Sequence, residues 1–185
     1  MKTKRIRVVA ALVFSMTAFS QDSQTQPRTH SRAPGDQTFL AKAAEGGMAE
    51  VQLGQLAEKN GSSSCVKQFG QRMVADHSKA NEIAKSIAVQ KSITLPASAS
   101  AKDQSLYRSL SAKTGSDFDK AYITAMVKDH REDIAEFRQE ANSGNDPDIK
   151  GWAAKTLPTL EEHLRMAQDC ATQLGISTGT TGGDR

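Results

Sequence analysis

The chain has 185 residues, of which 24% are charged and 5% aromatic, and it carries a formal charge of +3. That length fits one domain, and so few aromatics alongside five prolines suit a small helical protein with an Ala/Leu/Met core. Lys2, Lys4, Arg5 and Arg7 supply four of the positive charges; without them the balance turns slightly acidic, which removes the charge-based case for a nucleic-acid partner.

Those four charges precede an apolar run from Val8 to Phe19, which ends in Ala18-Phe19-Ser20 before Gln21. A basic start, a short apolar segment and small residues at the −3 and −1 positions form a secretory signal peptide over residues 1–20, cleaved after Ser20. The run is shorter than the about 20 apolar residues that a membrane span needs, and no cysteine follows it to carry a lipid. The expected location is periplasmic or secreted, with no stable membrane span once the signal is removed. Residues 21–35 are rich in Gln, Ser, Thr, Arg and Pro without a hydrophobic period and read as a disordered leader. His30 falls there and reads as a solvated bystander.

A first helix is expected over residues 36–59 with Asp36 as its N-cap. Its apolar stripe includes Gly46, Gly47 and Glu50. Each glycine costs about 1 kcal/mol against alanine inside a helix, so a close neighbour is expected at the pair. A second helix runs from the Ser62-Ser63-Ser64 cluster to about residue 91, with Val66, Phe69, Met73, His77, Ala80, Ala84 and Ile87 on one stripe. Residues 93–116 are the long connection, in which 101–112 form a short helix bringing in Leu106, Tyr107 and Leu110. A third long helix covers residues 117–141, its stripe carrying Phe118, Tyr122, Met126, His130, Asp133/Ile134 and Phe137. Asp146 and Pro147 open a fourth, as N-cap and first helical residue. It runs to about residue 174, with Pro158 expected to kink or loosen it, and residues 175–185 read as a disordered tail. Residues 36–174 thus form one all-α bundle.

Two cysteines, Cys65 and Cys170, suggest a disulfide in an oxidising compartment. Cys65 opens the second helix and Cys170 nearly ends the fourth. A bridge needs Cα atoms within about 7 Å. That holds only if the long connection crosses the length of the bundle, so that the second and third long helices run parallel. One crossover between two helical hairpins is the ferritin-like arrangement.

Several motifs in order also resemble a known family: Phe39-Leu-x-x-Ala-x-x-Gly-Gly-Met-Ala-Glu50, Phe69-Gly-x-x-Met-Val-x-Asp-His77, Phe118-Asp-x-x-Tyr122, Met126-Val-x-Asp-His130 and Leu157-Pro-x-Leu-x-x-His163-Leu. Over about residues 36–174 they are similar to the secreted bacterial family numbered 4142 among domains of unknown function. The resemblance implies a ferritin-like fold and export, and it brings no established activity.

Met-Val-x-Asp-His occurs twice, ending at His77 and His130, and each copy puts Met and His one helical turn apart. His163 and Met166 repeat the pair in the opposite order. In the crossover arrangement His77, His130, His163 and Glu50 fall within about 8 Å of depth at 1.5 Å per residue, all on inward stripes. They form a candidate metal site, with Glu50 as fourth ligand or supporting partner. Zinc suits three histidines and a carboxylate; copper suits the added thioethers of Met73, Met126 and Met166. Val74, Val127 and Leu160 stand where a di-iron centre would need glutamates three residues before each histidine, which argues against ferroxidase chemistry. By the same stripe, Asp76 and Asp129 are expected to face solvent or a neighbouring helix, outside the inner set.

The competing reading is a non-catalytic periplasmic interaction or stress-related module. Its histidines would be a structural cluster, and the Gly46-Gly47 notch or the charged faces would meet a partner or a second copy of the chain. No catalytic residue set stands out: both cysteines are committed to a bridge, and there is neither a phosphate loop nor a His-Glu-x-x-His spacing.

Overall fold

The computed structural model describes residues 34–178, and among these it contains five helices and no strand. The signal peptide, its cleavage site, the leader up to residue 33 and the tail beyond residue 178 lie outside the described residues. The helices are α1 (Pro34–Asn60), α2 (Ser64–Gln90), α3 (Ala101–Ser111), α4 (Gly115–Ser143) and α5 (Pro147–Gln173).

Local signals set most of the helix starts. The Ser63 hydroxyl accepts from the Val66 amide, Ser100 from Asp103, and Asp146 from Asp148 and Ile149. Each side chain satisfies amides that the first turn leaves without a partner. Asp36 behaves differently from its expected role as N-cap. It lies inside the first turn of α1, 3% exposed, and its carboxylate accepts from the backbone amides of Asn145 and Asp146. It therefore fastens the α4–α5 turn to the start of α1. The short helix α3 buries Leu110 and packs Leu106 against the core, whereas Tyr107, expected beside them, is exposed. α5 continues through Pro158 as helix.

The two ends of the bundle establish the connectivity. Cys65 and Cys170 are bridged with Cα atoms 5.6 Å apart, so α2 begins where α5 ends. Asp119, near the start of α4, accepts from the amides of Ser62 at 3.0 Å and Ser63 at 2.9 Å and from the Ser62 hydroxyl, so α4 begins at that same pole. At the other pole Lys91, just past α2, donates to Asp146 and Asp148 at 2.7 Å each. α2 and α4 are therefore parallel, and the segment between them, carrying α3, crosses from pole to pole as the cysteine argument requires.

The interior has two apolar clusters. One, at the disulfide pole, holds Leu53, Val66, Phe69, Met73, Tyr122, Met126 and Ala171. The other holds Phe39, Leu40, Ile87, Phe137, Trp152 and Leu160. Along α2, α4 and α5 the histidines fall between residues of the first cluster and residues of the second, so a polar layer divides the core.

α1 and α2 approach closely at two single glycines. A Cβ on Gly54 would stand 2.7 Å from the Gly70 carbonyl oxygen, and one on Gly70 would stand 2.7 Å from the Gly54 oxygen. The Gly46-Gly47 pair, expected to make such an approach, does so only in part. Gly47 lies against the Asn81 side chain, and Gly46 has nothing within 4 Å of a built Cβ.

Candidate functional site

α2, α4 and α5 each contribute one histidine to the polar layer. His77 is 6% exposed, His130 0% and His163 1%. The three ring centroids lie 5.4–6.0 Å apart, and one ring nitrogen from each lies within 4.8 Å of the others. Their 3-4 register with Phe69 and Met73 on α2, Tyr122 and Met126 on α4, and Leu160 and Ala167 on α5 turns all three inward.

Two of the rings have their tautomers fixed by neighbours. Nδ1 of His130 lies 3.0 Å from the Met126 carbonyl oxygen, to which it can only donate. Nε2 of His163 lies 3.0 Å from the Asp76 carboxylate, to which it likewise donates its N–H. The opposite nitrogens, Nε2 of His130 and Nδ1 of His163, then carry lone pairs. Both are buried without a hydrogen-bond partner, as is Nε2 of His77. A buried polar atom without a partner costs about 1–3 kcal/mol, so three such atoms side by side are an unusual concentration.

The electrostatics favour neutral imidazoles. Burial lowers His77 to about 3, with the neighbouring rings adding to the effect. It lowers His130 to about 4, again with His163 contributing. Burial also lowers His163, against the opposing pull of its bond to Asp76. For Asp76 burial acts upward, but hydrogen bonds from His163 and Arg72 hold its carboxyl below the ordinary value.

Glu50 of α1 is 1% exposed, with both carboxylate oxygens lacking a hydrogen-bond partner. Its Oε1 lies 3.9 Å from Nδ1 of His130, the nitrogen that serves the Met126 carbonyl. Glu50 thus stands behind His130 and outside the group of clustered ring nitrogens. Burial, reinforced by Asp129, pushes its carboxyl well up, and burial with Asp129 also pushes Asp133 up to about 8. Met73 and Met126 are fully buried in the apolar cluster and Met166 packs against it. None of the three lines the cavity beside the histidines.

Asp76 is the residue that the stripe reading left outside. It reaches from α2 to the neighbouring α5 and bonds His163, so the aspartates of the repeated motif are not equivalent bystanders; Asp129 in turn acts on Glu50. Their signal was the repetition of Asp immediately before His. Off-stripe position argued against it, because a carboxylate one residue from an inward histidine still reaches the adjacent helix.

Beside His77 and His163 is a cavity of about 40 Å³, which Gly46, Gly47, Asp133 and Trp152 also line. Glycine at 46 leaves open space where a side chain would stand, whereas at Gly47 that place is taken by the Asn81 side chain.

A search of curated proteins finds no match. Among solved structures, the fold is similar to that of a protein from Streptomyces coelicolor described as secreted and assigned to DUF305. The TM-score is 0.66 at 10% identity, over 80% of this chain and 97% of that one. No helix among the described residues is long and apolar enough to cross a membrane. The model of the domain of unknown function DUF4142 matches residues 21–170, and the chain belongs to that family.

Proposed function

We propose that this protein binds one late transition-metal ion, zinc or copper, through His77, His130 and His163. One observation carries the reading: three buried ring nitrogens lack partners in rings whose ligand atoms lie within 4.8 Å of one another. Zinc–nitrogen bonds are about 2.0–2.1 Å, which places tetrahedral ligand atoms about 3.3 Å apart, so a modest contraction closes the rings on an ion. Ligating histidines characteristically donate their second nitrogen to a carboxylate or a backbone carbonyl. Asp76 and the Met126 carbonyl stand in those places. Glu50 acts as a supporting partner behind His130, and the methionines act as packing.

Export suits this reading. The signal sequence with cleavage after Ser20, the Cys65–Cys170 bridge and a similar fold in a protein described as secreted support a periplasmic or secreted location.

The test is metal analysis of protein purified without a histidine tag, before and after loading with Zn²⁺ or Cu²⁺, together with thermal melting. One ion per chain is expected, and a ligand at 100 times its Kd adds about 2.7 kcal/mol, which raises Tm by about 5–10 °C. His77→Ala is expected to keep the fold and lose the ion. No stoichiometric metal and no change in melting would leave the competing reading, an interaction module with a structural histidine cluster.

A further inference from the structure

The cavity beside the histidines has features that ligand geometry alone does not require. Its volume is about 40 Å³. A single water needs about 10–15 Å³ on this measure, so the space takes about three or four waters, or one molecule of two to four non-hydrogen atoms. Trp152, only 6% exposed, lines it, and the indole Nε1, a donor, has no partner in the protein. Asp76, Asp133, Asn81 and two threonines supply further polar wall, and no lysine or arginine is among the lining residues.

The cavity also borders the surface. Ala80, Asp76, Trp152, Thr156 and Thr159 line both it and a broad groove on the outer face of α2 and α5. Ala80 is the small residue of this shared wall, so at its position only a methyl group stands between groove and cavity.

A metal held by three protein ligands keeps a fourth position for water or an exogenous ligand, which is how catalytic sites differ from closed structural ones. We propose that this cavity is a ligand chamber on the open side of the histidine site, admitting a small uncharged hydrogen-bond acceptor of the size of hydrogen peroxide, with the Trp152 indole as its donor. The absence of a lysine or arginine in the wall and the presence of the Asp76 carboxylate disfavour anions. The inference rests on the metal reading, and its test keeps the two apart.

The test uses the full mature chain loaded with Cu(I), copper content measured independently, and carbon monoxide as an uncharged diatomic probe read by its infrared stretch. One carbon monoxide per copper is expected. Ala80→Leu is expected to retain copper but weaken carbon monoxide binding at least tenfold. Trp152→Phe is expected to retain copper and shift the stretching frequency, because the indole donor is gone. A protein that holds copper but does not take up carbon monoxide overturns the chamber and leaves the metal site standing. Unchanged binding in Ala80→Leu with an unchanged frequency in Trp152→Phe overturns it equally. Failure to bind copper at all removes the copper form of the metal reading, and the chamber with it, while zinc content in the metal analysis decides the metal reading separately.

Discussion

His77 and Asp133 make opposite demands on pH at the scale of single residues. His77 titrates at about 3 in the fold against 6.5 unperturbed, so as pH falls below about 6.5 the unfolded chain takes up its proton first. Its contribution to stability is complete above 6.5 and is lost on acidification toward pH 3; His130, at about 4, behaves alike. Asp133 is raised from 3.8 to about 8. The folded chain keeps that proton longer, so the contribution is complete below about 4 and is lost as pH rises to about 8. Between pH 6.5 and 8 the histidines no longer change, and the raised carboxyl of Asp133 dominates. Metal-free protein is therefore expected to lose stability over this interval. Denaturant melts at the two pH values should find the loss smaller by about 1–2 kcal/mol in Asp133→Asn, after discounting for the partial exposure of that residue. Trp152 is the only tryptophan in the chain. Because it lines the cavity with His77 and His163, Cu²⁺ added to the folded protein should quench most of its fluorescence. The quenching should disappear in His163→Ala.

For the helices as elements, the contact between α1 and α2 depends on Gly54 and Gly70, whose positions admit no side chain without moving the opposite backbone. Gly70→Ala would also press on the Ala57 methyl at 2.8 Å. Overpacking of this kind costs about 1–3 kcal/mol, and urea unfolding should show a loss in that range, while Gly46→Ala should stay within about 1 kcal/mol of the parent. These glycines mark a limit on what a single sequence discloses. Periodicity placed Phe69, Met73 and His77 on one buried face, and likewise Phe118, Tyr122, Met126 and His130, because burial and the 3.6-residue repeat are both local properties. Which glycine meets a neighbouring backbone depends on the height of the opposing helix, and the conspicuous Gly46-Gly47 pair drew attention from two isolated ones. Asp36 missed its expected role for a related reason. A residue type suited to capping does not say whether its own amides or those of an adjacent turn will be the ones it serves. The pairing of Asp76 with His163 was hidden in the same way, since it spans two helices distant in the chain.

Taken whole, the molecule is two hairpins fastened at both ends. Asp119 gathers Ser62 and Ser63 at one pole, while Lys91 with Asp146 and Asp148, and Asp36 with the α4–α5 turn, close the other. Asp119→Ala leaves two amides and a hydroxyl without their charged acceptor and should cost about 2–4 kcal/mol in a denaturant melt. Removing the Cys65–Cys170 bridge relaxes the unfolded chain across 105 residues of separation, at up to about 4.7 kcal/mol in the chain-entropy model. The histidine layer lies away from the bridged pole, so reduced protein that remains folded should still take up metal, as equilibrium dialysis would record.

The span of that bridge has a consequence for the integrity of the chain. Positions 65 and 170 enclose His77, His130 and His163, and they also enclose the exposed connection between α2 and α3, where Ser92, Thr94, Ala97 and Ser98 face solvent. A single cut there separates His77 from the other two histidines in sequence but releases neither fragment, because the sulfurs still join them. Protein nicked by a broad-specificity protease should migrate as one species on a non-reducing gel and as two after reduction. A two-chain form with its three histidines divided between the pieces would then remain assembled until the bridge is reduced.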